Sequence, residues 1–154
     1  MPRVGLTRGG VVRIALDTVD DIGGESLTLA EVATRARVKV PSLYKHIASL
    51  EMLRVAVATA ALRELAAELR GAALGVSRAD ALTRLCHAYR GYALRHPGRY
   101  GMTRRAVLPG GDDDALVAAG PEVQEVVSAA LRGYAIVDDD ALIDATRALR
   151  ASLD

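Results

Sequence analysis

Apolar residues recur at intervals of three and four along most of this chain, the spacing that places them on one face of a helix. Glycine and proline interrupt the pattern and divide it into about eight helical segments. Alanine, leucine and arginine, all strong helix formers, are abundant, and no segment has the alternating pattern of a strand. With 51% apolar and 25% charged residues, the chain also has the composition of a protein that folds. The sequence therefore predicts an all-α protein.

The N-terminal third predicts one ordinary helix followed by two short ones. Apolar positions recur over residues 8–22, with Thr7 as the candidate N-cap and a pair of glycines after the segment. Thr28 and Glu31 have the spacing of a capping box, in which each side chain bonds an otherwise unpaired backbone amide. A second helix is therefore expected over residues 29–36.

A third helix is expected from residue 42 to about residue 47. Pro41 suits its first turn, because the missing N–H of proline would be unpaired there in any case. Helices this short cannot form a core alone, so they must pack against the first helix. Two short helices joined by a tight connection and supported by a third form a helix-turn-helix arrangement.

Positive charge is concentrated in this region. Residues 27 to 50 carry four basic side chains against one acidic side chain, a local net charge of +3 in a chain whose overall charge is +1. The five side chains are Arg35, Arg37, Lys39, Lys45 and Glu31. Such a concentration is expected of a phosphate-binding surface, although a solvated helix face gives the same count.

The rest of the chain predicts a second, larger group of helices. They are expected over residues 49 to about 71, about 77 to 95, 99–107, 121–134 and 138–153, with a polar loop at 109–114. Pro121 is assigned to the first helical position of its segment. The run of aspartates before residue 115 is interpreted as a solvated loop rather than a metal site.

Several classes of protein are disfavoured. The single cysteine, Cys86, cannot form an internal disulfide, and no cysteine or histidine spacing suits a metal, so a reducing compartment is the simpler interpretation. No signal peptide or membrane span is recognisable, which favours the cytoplasm. No catalytic set is present either: Cys86 and His87 point about 100° apart on a helix and cannot pair.

Four stretches resemble the DNA-binding heads of TetR family regulators. They are Leu27-Thr-Leu-Ala-Glu-Val-Ala33, Val38, Pro41-Ser-Leu-Tyr-Lys-His-Ile47 and Ser49-x-Glu51-x-Leu53, within a match that extends over residues 7–54. The stretch from Cys86 to Tyr100, with His96-Pro97-Gly98, resembles one C-terminal subclass of the same family. The resemblance implies a helix-turn-helix DNA-binding domain over residues 1–48. It implies a helical ligand-binding and dimerisation domain over residues 49–154, without the family's last helix.

The resemblance also implies site residues. Those expected at DNA are Thr28, Arg37, Lys39, Val40, Pro41, Ser42, Tyr44, Lys45 and His46. Those expected to line an effector pocket are Tyr89, Tyr92, Tyr100, Met102, Val127 and Tyr134. Each has an ordinary alternative, as a surface residue in the first set and as a core residue in the second.

The head departs from the family pattern at three positions. Arg37 replaces the glycine of the turn. The turn requires a left-handed conformation at this position, which is energetically unfavourable for a residue with a Cβ. Lys39 replaces the usual Ser or Thr N-cap of the third helix, which lowers the stability of the head by about 1 kcal/mol. Leu50 replaces a basic residue, which removes one expected phosphate contact.

The function implied is sequence-specific DNA binding by a transcriptional regulator, a repressor released by a small apolar ligand. A homodimer formed through residues 121–134 and 138–153 would place two recognition helices about 34 Å apart on a palindromic operator. No cofactor, metal or membrane is expected. Two alternatives stay open: a helical enzyme or ligand carrier, and a ligand-binding or protein-interaction module whose head binds DNA weakly.

Overall fold

The computed structural model describes residues 6–75, 78–105 and 114–132, together with single helical positions at 140, 141, 144, 148 and 151. Its continuous stretches contain seven helices and no strand, which confirms the all-α class. The helices are α1 (Arg8–Ile22), α2 (Leu29–Ala36), α3 (Val40–Leu43), α4 (Leu50–Ala73), α5 (Arg78–Arg95), α6 (Pro97–Arg105) and α7 (Asp114–Leu131). The predicted loop before residue 114 and most of the predicted last helix lie outside the described residues.

Local capping fixes where three of the helices begin. The hydroxyl of Thr7 accepts a hydrogen bond from the amide of Gly10 at 3.1 Å, and that of Thr28 accepts one from the amide of Glu31 at 3.2 Å. At the start of α4, the Ser49 hydroxyl accepts one from the amide of a residue in the first turn. Each bond satisfies a donor that a helix leaves unpaired. The predicted bounds of α1 and α2 are confirmed.

The predicted bounds of α3 are wrong. The helix starts two residues earlier than expected, at Val40, and its regular part ends at Leu43. The chain continues as a tightened turn, because the amides of His46 and Ile47 both donate to the carbonyl of Leu43, at 2.8 and 2.9 Å. Pro41 still lies in the first turn, where it removes no bond.

The α7 prediction is also wrong, because Pro121 lies inside the helix rather than at its first position. A proline clashes with the Cβ of the preceding residue when that residue is helical. Here the preceding residue is Gly120, which has no Cβ, so the helix passes through the proline. Ala119 and Val123, on either side of Pro121, are both buried, so the helix is packed against the core before and after the proline.

Two apolar clusters share the long helix α4. The head cluster joins α1, α2, α3 and the first half of α4, and consists of Val11, Ala15, Leu16, Val19, Leu27, Val32, Ala33, Leu43, Ile47, Leu53, Val57, Ala58, Ala61 and Met102. The body cluster joins the second half of α4 to α5 and α7, and consists of Leu62, Leu65, Ala66, Leu69, Leu85, Tyr89, Tyr92, Ala119, Val123, Val126, Val127 and Leu131. One rigid helix therefore contributes to both cores.

A second connection between head and body is formed where α6 approaches the end of α1. A Cβ at Gly98 would overlap the carbonyl oxygen of Val19 and lie 2.6 Å from the amide nitrogen of Asp20. Only glycine allows the two backbones to come this close. Met102, one turn further along α6, is buried in the head cluster against Gly24.

Charged groups surround this close approach and form what we call the α1–α6 joint. One carboxylate oxygen of Asp20 lies 2.9 Å from Nδ1 of His96 and from Nε of Arg99, and the other accepts from the Arg99 amide at 2.9 Å. The guanidinium of Arg99 also reaches Asp17 at 2.6 Å and Glu64 at 3.1 Å. Burial alone would lower the pKa of Arg99, but Glu64, Asp20 and Asp17 outweigh it and raise the pKa above its usual value. The joint therefore ties α6 to both α1 and α4.

Gly98→Ala should reduce the free energy of unfolding by about 1–3 kcal/mol, since the added methyl has to displace the backbone of α1. Gly101→Ala on the same helix is the matched control, because a Cβ there meets nothing within 4 Å and alanine is the better helix former. Denaturant unfolding followed by circular dichroism compares the two. Equal stability of both variants would mean that the close approach at Gly98 is not constrained.

Candidate nucleic-acid interface

The turn between α2 and α3 is built around Arg37 in the left-handed conformation, with φ 54° and ψ 41°. The amide of Val38 donates to the carbonyl of Ala33 at 3.0 Å, and the amide of Arg37 donates to that of Thr34 at 3.1 Å. This pair of bonds is a Schellman motif, which normally has glycine at the position of Arg37. The left-handed residue expected from the sequence is confirmed.

Buried apolar side chains hold α2 and α3 in place. Leu27, Val32 and Leu43 are fully buried, and Ile47 is 3% exposed. Ala33 is buried as well, which lets the two short helices approach closely. The orientation of α3 is therefore set by the head cluster.

Two polar contacts that the sequence did not indicate fasten this unit to its neighbours. Arg35 of α2 forms an ion pair with Asp21 of α1. Arg54 of α4 donates to the carbonyl of Leu27 at 3.4 Å, just before α2. The sequence carries little sign of these contacts, because arginine on a helix surface is common and its partner lies far away along the chain.

The residues expected at DNA form a largely exposed stretch from Arg37 to His46, together with Thr28. Tyr44 is 55% exposed, and Lys45 beside it is exposed too. Exposed with them are Thr28, Arg37, Lys39 and Pro41, while Val40, Ser42 and His46 are half-buried. The hydroxyl of Thr28 is already engaged by α2, whereas Lys39 caps α3 without a side-chain bond. The stretch offers positive charge and hydroxyl groups to an approaching polyanion.

The residues expected around an effector are divided between the two clusters. Tyr89 and Tyr100 face each other edge to face, with ring centroids 5.8 Å apart and hydroxyl oxygens 3.4 Å apart. Val127 is buried in the same body cluster as Tyr89. Met102 is placed in the head cluster instead, since α6 carries it to Gly24, and Tyr134 lies outside the described residues.

Tyr92 is committed to structural contacts. Its hydroxyl donates to the carbonyl of Ala61 at 3.1 Å and lies 3.3 Å from Oε2 of Glu64. Burial, and then the charge of Glu64, raise its pKa far above the usual value, so the hydroxyl keeps its proton. Tyr92 therefore anchors α5 to α4.

No group of three His, Cys, Asp or Glu side chains within the described stretches could hold a metal ion. Over the same residues, no helix is both long enough and apolar enough to cross a membrane. Burial raises the pKa of the Cys86 thiol, which lowers its reactivity as a nucleophile.

Several known proteins are similar to this chain. The sequence model described as "Tetracyclin repressor-like, C-terminal domain" matches residues 82–153. An uncharacterized HTH-type transcriptional regulator of Mycobacterium tuberculosis, Rv0681, is 39% identical over 136 residues, which are 88% of this chain and 62% of that protein. The chain is similar to TetR family regulators. It spans less than two thirds of the length of this curated relative.

Solved structures show the same fold. A protein of unknown function from Rhodococcus sp. RHA1 superposes with a TM-score of 0.80 at 22% identity, covering 99% of this chain and 81% of that one. BioQ, crystallised with its natural double-stranded DNA operator, gives a TM-score of 0.67 at 25% identity, covering 96% of this chain and 82% of BioQ. The resemblance inferred from the sequence is confirmed.

Arg37→Gly should raise the free energy of unfolding by about 0.5–1 kcal/mol, because glycine avoids the strain of a Cβ in the left-handed conformation but loses more backbone entropy on folding. Arg37→Ala serves as the control, since it removes the same charge but keeps the Cβ. Urea unfolding with an unchanged slope would measure both differences. If the two variants were equally stable, strain at this turn would be excluded.

Proposed function

We propose that this protein is a sequence-specific DNA-binding transcriptional regulator of the TetR family. The observation that carries the proposal is the exposed basic stretch from Arg37 to His46, presented by a helix-turn-helix unit whose α3 is fixed by a buried core. The similarity to BioQ, which was crystallised with its operator, supports it. We place the protein in the cytoplasm, where it would have access to DNA, and assign it no catalytic activity.

Within this proposal, the residues of the stretch divide into two roles. Lys45 is exposed beside the buried Leu43, so we assign it to the base edges in the major groove. His46 is half-buried and less able to reach into a groove, so we assign it, with Tyr44 and Thr28, to backbone phosphates. Arg37 and Lys39 add phosphate contacts that partly replace the one missing at Leu50.

The body would sense a small, mostly apolar effector and release the head from DNA. Tyr89 and Tyr100 support this assignment, because their paired hydroxyls provide a polar group beside an apolar cluster. A rival function, a protein-interaction module that has lost most DNA affinity, is favoured by the strained Arg37 and by the missing cationic residue at Leu50.

Lys45→Ala should lower discrimination between the operator and a scrambled duplex by about 1–3 kcal/mol, because a base contact is lost. His46→Ala should weaken both duplexes alike, by about 1 kcal/mol, because a phosphate contact carries no sequence information. Gel shifts with the intergenic DNA beside the protein's own gene provide the measurement, repeated at several salt concentrations. Arg84→Ala, an exposed arginine on α5, is the control for loss of charge alone.

If the Lys45 and His46 variants bound DNA with the affinity and sequence preference of the parent, α3 and the turn that follows it would not be part of the DNA interface. No binding of any duplex by the parent at low salt would favour the protein-interaction module.

We also propose a symmetric homodimer formed through α7 and the segment that follows it. Two half-sites bound together would give a short recognition helix useful affinity. Sedimentation at micromolar concentration should give twice the monomer mass, and addition of operator DNA should leave one dimer on each duplex. A monomer under both conditions would contradict this arrangement.

A further inference from the structure

A cavity of about 520 Å³ lies between α1 and α4, away from the paired tyrosines of the body. Its apolar wall is made by side chains from both helices, among them Val12, Leu16, Val55 and Ala56. Along α4 it extends from Met52 to Glu64, about 18 Å at 1.5 Å per residue. A cavity of this size is within the range of small-molecule sites.

Three arginines stand around this apolar wall. Arg8 and Arg13 come from the exposed side of α1, and Arg63 comes from α4. Arg8 and Arg13 have no ion-pair partner among the described residues, whereas Arg63 lies 3.5 Å from Glu122. The one carboxylate of the lining, Glu64, is already bound by Arg99. The cavity therefore combines an apolar wall with uncompensated positive charge.

The wall also contains a buried polar group without a partner. Thr59 is 6% exposed, and its hydroxyl makes no hydrogen bond with any described residue. A threonine in a helix usually bonds a carbonyl of the preceding turn, as Thr18 does with Ile14 at 2.7 Å. Leaving a buried hydroxyl unpaired is costly, so an occupant that bonds it would gain affinity.

We propose that the α1–α4 cavity is a binding site for a small amphiphile with one carboxylate group and an apolar chain. The chain would lie along Val12, Leu16 and Ala56, and the carboxylate would pair with Arg8 and Arg13. Guanidinium groups suit this partner because they bind a carboxylate through two parallel hydrogen bonds. A neutral molecule would leave the arginines unused, and a small anion would leave the wall uncovered.

This site goes beyond the proposed regulation through the body, and octanoate binding is measured in the absence of DNA. The probe is octanoate, with 1-octanol as the chain without the charge and acetate as the charge without the chain. Calorimetry should give one octanoate per chain. Octanol should bind at least tenfold more weakly, and acetate should not bind.

Variants locate the binding. Arg8→Gln combined with Arg13→Gln should weaken octanoate about tenfold and leave octanol unchanged, because only the ion pair is removed. Ala56→Leu should lower the affinity for both octanoate and octanol, because the larger side chain would occupy space beside the apolar wall of the cavity. Arg84→Gln, which removes an arginine outside the cavity, should bind octanoate like the parent. Circular dichroism establishes whether each variant is folded. If Ala56→Leu does not fold, the arginine double variant alone decides whether octanoate binds in the cavity.

Two results would overturn the proposal. Octanoate bound equally well by the parent and by the arginine double variant would place it elsewhere, for example beside the body tyrosines. Failure of octanoate to bind the parent, with loss of DNA affinity in the double variant, would assign the arginines to phosphates instead.

Discussion

The α1–α6 joint determines how the helix-turn-helix unit is oriented on the rest of the molecule. Arg99 is only 15% exposed and contacts carboxylates from two other helices, so its charge is compensated by residues that no local segment could supply. The close approach at Gly98 makes the same connection through the backbone. Ion pairs that are partly shielded from water hold their geometry better than exposed ones. The head is therefore fixed at two points, along α4 and at the end of α1.

This double attachment makes α6 a member of both halves of the molecule. Its Met102 is part of the head core, whereas its Tyr100 packs against the body cluster and contacts Tyr89. A displacement of Tyr100 could not be absorbed within the body alone, because the same nine-residue helix contacts the last turn of α1. The α1–α4 cavity borders the joint, because its lining includes Glu64, the carboxylate that Arg99 binds.

The sequence predicted the elements whose signals are local and missed the contacts that depend on distant residues. Thr7 and Thr28 mark their helices because capping involves neighbours three positions away. Pro121 was misinterpreted because a proline at the first position of a helix is the commoner case, and the missing Cβ of Gly120 outweighed that preference. The joint pairs Asp20 with residues 76 and 79 positions away, a separation at which no periodicity in one sequence carries information.

Arg37 shows how stability and charge oppose each other in the head. The Schellman bonds of the turn require a left-handed residue, and glycine would satisfy that requirement with less strain. An arginine at the same place keeps both backbone bonds and adds a guanidinium to the exposed stretch that ends at His46. Its strain costs about 1–2 kcal/mol, comparable with the free energy of one charged hydrogen bond to a phosphate. A turn that is unfavourable for the isolated protein can therefore be close to neutral once the head is bound to a polyanion.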